Sequence, residues 1–248
     1  IGSRQRLDVL DMDTRNYIHD TKLTENILPL ADNVVYLHLK KTTTQNMEQQ
    51  QWSENVILVD ADYIDKVAFN LIVNFERMLQ RRIPQADVSR WIDCIALDGG
   101  IRQGENNTQV ILVYDKRHET LENFTPSSLV NDLDGKAFKD HLGEFTFSAL
   151  PVEEMTDKEH LFCDSLMHIC SQKGIKRLML IPNAEIYYDG VKRALRDTPD
   201  DIRTTVFAMQ PLPAGNFRQE ILGYSLMAAL GIRGDAINNQ PTIHTYNE

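Results

Sequence analysis

Two carboxylates, Asp60 and Asp62, stand directly behind the apolar run Val56-Ile57-Leu58-Val59. Acids at i and i+2 can grip a hard cation through oxygen. Alternatively, one can act as nucleophile while the other assists as acid or base. A second group, Asp157, His160, Asp164 and His168, is spaced i, i+3, i+7 and i+11, a single stripe on a helix. A third pair, Asn183 and Glu185, follows the apolar run Leu178-Met179-Leu180-Ile181. Charge at the carboxyl ends of core strands lies where open α/β sheets bind ligands.

Each group also has a plainer role. Asp60 and Asp62 suit the N-cap and first turn of a helix starting near Ile64, where acids complement the dipole. Asp164 borders an apolar stripe of Phe162, Cys163, Leu166, Met167 and Cys170, where a solvated or paired acid is ordinary. Asn183 and Glu185 suit the N-cap region of a following helix. His160 and His168 lie two turns apart and would need a third ligand from elsewhere to hold a transition metal; they read as surface histidines. The pair Gly99-Gly100 with Gly104 is a flexible turn, since no helix start follows it closely.

The elements that must position these groups follow from periodicity. Val56 to Asp60 reads as a buried strand. Ile64, Val67, Ala68, Leu71, Ile72, Phe75, Met78 and Leu79 keep one helical face. The apolar run Trp91 to Leu97 is expected as a strand, paired antiparallel with Val110 to Tyr114, because the loop between them is too short for a helical crossover. Residues 115–143 are expected as an irregular excursion with a short helix, and Phe145-Thr146-Phe147 as an edge strand. Helices are expected over 157–172, 187–196 and 217–230, with strands over 177–181 and 204–209. That alternation predicts a mostly parallel central sheet flanked by helices. The organisation expected is an N-terminal appendage and linker (1–50, with a short helix and the strand Val34 to Leu39), an α/β domain (51–232) and a polar tail (233–248).

Composition sets limits. Of 248 residues, 42% are hydrophobic and 25% charged, which is ordinary for a globular chain. The net charge of -10 disfavours generic attraction to nucleic acid or anionic lipid. No stretch is long and apolar enough to cross a bilayer, so no membrane partner is expected. The three cysteines, Cys94, Cys163 and Cys170, have no repeating spacing and read as reduced thiols of a cytoplasmic protein.

From Asn55 to Ile232 the order of these features resembles the PIN-like nucleases, especially their NYN branch. In that family a strand ends in an Asp-x-Asp-Asn type motif, a later helix carries an Asp, and a further strand ends in Ser-Gly-Asp-x-Asp-Phe. Here Val59-Asp60-Ala61-Asp62-Tyr63 resembles the first motif, Asp164 the helical acid and Ile181-Pro182-Asn183-Ala184-Glu185-Ile186 the last. The resemblance implies a PIN-like (Rossmannoid) α/β fold. It also implies a site in which Asp60, Asp62, Asp164 and Glu185, with Asn183 as a neutral ligand, hold Mg²⁺ or Mn²⁺ for RNA phosphodiester hydrolysis. The chain departs from the pattern at four places. Asn183 replaces an Asp, Ile181-Pro182 replace Ser-Gly, and Tyr63 replaces an asparagine. Lys158 stands where a further acid is usual early in the helix, with Asp157 and Glu159 out of register.

Two readings of function follow. One is a metal-dependent ribonuclease-like enzyme acting on RNA, intact or degenerate. The other is a non-catalytic module that uses the same scaffold to bind a protein partner, a nucleotide or a second copy. A haloacid-dehalogenase-type phosphatase, which also opens with Asp-x-Asp, ranks behind them. It needs paired acids after a later strand, whereas Asp200-Asp201 precede one.

Overall fold

The computed structural model describes residues 52–153 and 156–232. The expected appendage with its helix and Val34–Leu39 strand, the linker, and the polar tail lie outside the described residues.

Strand β1 (Asn55–Asp60) is the sheet's centre, and Val56, Ile57, Leu58 and Val59 are fully buried. Alternate residues serve two cores, as the pleat requires. Ile57 and Val59 face a core built with helices α1 (Ala61–Leu79), α2 (Val88–Asp98) and α5 (Leu222–Ala229). Val56 and Leu58 face a second core built with α3 (Lys158–Cys170) and α4 (Ala184–Ala194). Burial on both faces explains why β1 is a continuous apolar run instead of an alternating one.

The remaining strands of the large sheet are β3 (Asn106–Asp115), β5 (Ala137–Asp140), β6 (Gly143–Val152), β7 (Arg177–Ile181), β8 (Arg203–Ala208) and β9 (Arg218–Ile221). A two-residue pair, β2 (Ala86–Asp87) with β4 (Phe124–Thr125), stands apart. The large sheet runs β5-β6-β3-β1-β7-β8-β9. Every pairing in it is parallel except the β5–β6 hairpin. Without β5, the spatial order in chain numbering is 3-2-1-4-5-6, the doubly wound order. Its ligand crevice lies where the order reverses, between β1 and β7 at their carboxyl ends. The α/β class, mostly parallel sheet and flanking helices are therefore as expected.

Three expectations are corrected. Trp91 to Leu97 is not a strand but part of α2. Val88, Trp91, Ile92, Ile95 and Ala96 are buried at helical spacing, and the Asp87 side chain caps the helix by accepting from Arg90 N at 2.8 Å. With α1 and α2 both between β1 and β3, those strands pair in parallel, and no antiparallel hairpin forms there. Phe145-Thr146-Phe147 is not an edge: it lies within ten-residue β6, between β5 and β3. The expected helix over 217–230 begins only at Leu222, because Arg218–Ile221 adds to β8 as a parallel edge strand. Residues 115–143 hold β4, a π-helical turn (Leu129–Leu133) and β5. The turn into β6 requires glycine: Gly143 has φ of 130°, and a Cβ there would lie 2.1 Å from the Asn106 carbonyl oxygen.

Candidate functional site

The end of β1 delivers Asp60 to the switch point, and α1 starts immediately behind it. Asp60 is 1% exposed. Its Oδ1 accepts from Tyr63 N at 3.1 Å, so the capping role is real. The same oxygen is 3.2 Å from Lys158 Nζ, and Oδ2 accepts from the Tyr187 hydroxyl at 2.7 Å. Lys158 also donates to Asp62 Oδ2. Asp62 is held in turn by the end of β3: its Oδ2 accepts from Asp115 N at 2.8 Å, and its Oδ1 lies 3.5 Å from His118 Nδ1. One ammonium therefore joins two carboxylates, and the cluster ties β1, β3, α1, α3 and α4 together.

Local folding explains each placement. Asp157 caps α3 by accepting from His160 N at 2.8 Å, which sets Lys158 as the first helical residue, aimed back at the strand ends. Tyr187 sits at a kink in α4, with φ of -126° and ψ of 32°, and is 4% exposed. The kink turns its ring against Phe162, with centroids 5.6 Å apart, and its hydroxyl into Asp60.

Electrostatics follow the burial. Loss of water pushes the Asp60 carboxyl above its ordinary value, opposed by Lys158, Tyr187 and the Tyr63 amide. Burial pulls Lys158 down, but Asp60 and Asp62 more than offset it and the ammonium is held above its usual range. The Tyr63 hydroxyl is pushed up to about 12 by burial and by the charges of Glu185 and Asp60. Burial and the neighbouring Asp60 push Tyr187 up as well. Both phenols stay protonated, so Tyr187 can only donate to Asp60.

The remaining expected site residues are placed differently. Glu185 is exposed in the first turn of α4, and its charge reaches the Tyr63 hydroxyl. Asn183 occupies the N-cap position of α4 without making a side-chain cap bond, and its Oδ1 is buried with no hydrogen-bond partner. The Tyr63 hydroxyl is buried and engaged by the Glu185 side chain and the Met209 backbone. Asp164 is half-buried and lies about 9 Å further along α3 than Lys158 by helical rise. It raises the neighbouring Cys163 thiol after burial and Glu159 do so, taking it to about 11. The stripe histidines are separately engaged, His160 with Asp157 at 2.6 Å and His168 tilted against Trp52 at 5.9 Å between ring centroids. Cys94, Cys163 and Cys170 are free thiols.

As arranged, the cluster does not fit a divalent cation. The space between Asp60 and Asp62 is taken by an ammonium, and a hard cation there would face like charge while competing for the same oxygens. Among the described residues no three His, Cys, Asp or Glu side chains are grouped to hold a metal ion. Nor is Asp60 placed as a nucleophile, since both its oxygens are engaged and it is sealed from solvent. Sequence reasoning missed Tyr187 and His118 as members of the cluster. Tyr187 carried one signal, its i, i+4, i+8 alignment with Val191 and Leu195, which turns it inward.

Fold and cluster together define a doubly wound α/β domain whose switch-point crevice is bridged by a lysine. Residues 49–237 match the model of a family of unknown function, DUF6621, and the chain belongs to that family. No curated protein and no solved structure matches the chain. Among the described residues no helix is long and apolar enough to cross a membrane.

Proposed function

We propose that this chain is a PIN/NYN-like domain with a degenerate nuclease site, serving as a non-catalytic binding module. The observation that carries this reading is the Lys158 bridge between Asp60 and Asp62. The resemblance calls for an acid at that helix position, and a lysine reverses the charge on which metal-dependent hydrolysis depends. Support also comes from the strand order and from the carboxyl-end position of both aspartates. A protein surface or a second copy of the chain is the favoured partner, because a net charge of -10 opposes tight binding along an RNA backbone.

The test is incubation of the purified full chain with mixed-sequence single-stranded RNA in Mg²⁺ and in Mn²⁺. The expected result is no cleavage above that of an Asp60→Asn control. Metal-dependent cleavage that disappears in Asp60→Asn would restore the enzymatic reading.

A further inference from the structure

A cavity of about 450 Å³ opens between the end of α4 and the loop that joins β8 to β9. α4 leaves the carboxyl end of β7 and runs back along the sheet. Its last turn, and Phe217 just before β9, therefore lie toward the amino ends of the strands, away from the Asp60 cluster. The volume falls in the range of small-molecule sites and exceeds what a lone inorganic anion fills. One side is cationic, with Lys192 and Arg193 from the last turn of α4 and Arg196 just beyond it; Asp189 is the one acid among the described lining residues. Arg193 lies 3.7 Å from Glu159, while the side chains of Lys192 and Arg196 have no ion-pair partner among the described residues. Positive charge is thus gathered at one place in a chain of net charge -10.

The other side carries Asn216 and the ring of Phe217, and it is held in place. The Tyr188 hydroxyl donates to the Pro213 carbonyl at 2.7 Å. The Gln219 side chain grips Leu212 twice, accepting from its N at 2.9 Å and donating to its O at 3.0 Å. Leu212 and Phe217 both pack on the second core. A Cβ on Gly215 would collide with the Phe217 ring, so the glycine lets the loop close over it. Basic residues in the last turn of a helix complement its dipole, but that role needs neither a cavity nor an aromatic side.

We infer that this cavity binds a nucleoside monophosphate. The guanidinium forks of Arg193 and Arg196 match phosphate oxygens in pairs, and the Lys192 ammonium adds a point charge. Phe217 supplies the aromatic surface on which a base stacks. The Asn216 amide, with donors and an acceptor, suits the edge of that base. An inorganic anion uses only the cationic side and a nucleoside only the other. A small dianion meets this local positive charge, whereas a long RNA also meets the net charge of the whole chain. The cavity is separate from the Lys158 bridge, so the inference stands apart from the degenerate-site reading.

The experiment is calorimetric titration of the full chain with AMP, GMP, CMP and UMP, with the four nucleosides and inorganic phosphate as controls. At least one nucleotide is expected to bind with Kd below about 0.5 mM. Its nucleoside and inorganic phosphate should each bind at least about tenfold more weakly. The double variant Lys192→Gln with Arg196→Gln changes two exposed positions and should melt within about 3 °C of wild type. It should bind the nucleotide at least about tenfold more weakly, with less dependence on salt. Phe217→Leu should weaken the nucleotide about fivefold and leave inorganic phosphate unchanged. If Phe217→Leu does not fold, Asn216→Ala, at an exposed position, takes its place, with a loss for the nucleotide alone expected. Absence of binding by all four nucleotides at about 5 mM would overturn the inference. So would an affinity unchanged in the double variant, or inorganic phosphate bound as tightly as the nucleotide.

Discussion

Two pairs of carboxylates sit at opposite ends of the sheet, and each loses its mutual repulsion in a different way. At the carboxyl end, Asp60 and Asp62 share a lysine. Near the strand starts, Asp93 of α2 faces Asp140 at the end of β5, beside the Gly143 turn. There Asp93 Oδ1 and Asp140 Oδ2 are both buried, and neither has a partner among groups that carry a fixed proton. Burial, followed by the hydrogen bond and charge of Asp140, pushes Asp93 up to about 7, with His141 opposing and Asp87 adding to the rise. Below about pH 7 Asp93 is therefore held protonated against Asp140. His141 Nδ1 stands 3.3 Å from Asp140 Oδ2 at the same corner. A fixed cation makes the first pair a permanent part of the fold, while a titratable proton makes the second sensitive to pH. The difference also separates what each pair can exchange: the first only through loss of a side chain, the second with solvent protons.

The sharpest way to break this comparison is Asp60→Ala. The substitution removes the carboxylate that satisfies Lys158, the Tyr187 hydroxyl and the Tyr63 amide at once. A loss of about 3–5 kcal/mol in urea unfolding is expected; a loss below about 1 kcal/mol would mean the cluster does not hold these elements together. Tyr187→Phe removes one donor to a buried charge and should lower stability by about 2 kcal/mol, measured in the same way.

The second pair predicts a pH effect with a definite sign. The folded-state value of Asp93 lies above its unfolded value, so the folded chain binds the proton more tightly. That contribution is fully present below about pH 4 and is lost as pH rises through about 7. Asp93→Asn keeps a donor toward Asp140 at every pH. It should match wild type at pH 4 and exceed it by on the order of 1–2 kcal/mol at pH 8, after discounting for solvent screening. A variant less stable than wild type at pH 8 would refute the proton held on Asp93. The smallest effect is expected at the rim of the first cluster. His118 is 65% exposed and 3.5 Å from Asp62, so His118→Ala should leave the unfolding midpoint essentially unchanged.

Much of the frame was legible in the sequence because burial on two faces writes an unmistakable pattern. Val56–Asp60 and Arg177–Ile181 read as strands because nearly every residue is apolar and each run is short. The segment around Trp91 misled for the same reason. Six apolar residues in a short window look like a strand run, and only the positions flanking the window, Val88 and the Asp87 cap, reveal the helical period. Arg218–Ile221 carries the opposite deception: three polar residues and one apolar residue form an edge strand that tertiary pairing, not propensity, selects. At the site, Asp60 and Asp62 announced themselves by position and Lys158 by the register of the resemblance. The tie from Tyr187 could not be read, because it depends on a kink in α4 that no local periodicity encodes.

The central claim is that the Lys158 ammonium and the buried Asp60 carboxylate stabilise the fold as a coupled pair. A double-mutant cycle on unfolding free energy measures this directly, using Asp60→Asn, Lys158→Met and the pair combined. Each single change should lose about 3 kcal/mol or more, and the double variant should lose less than their sum by about 2 kcal/mol, since neither charge is then left buried alone. Losses that add within about 0.5 kcal/mol would contradict it.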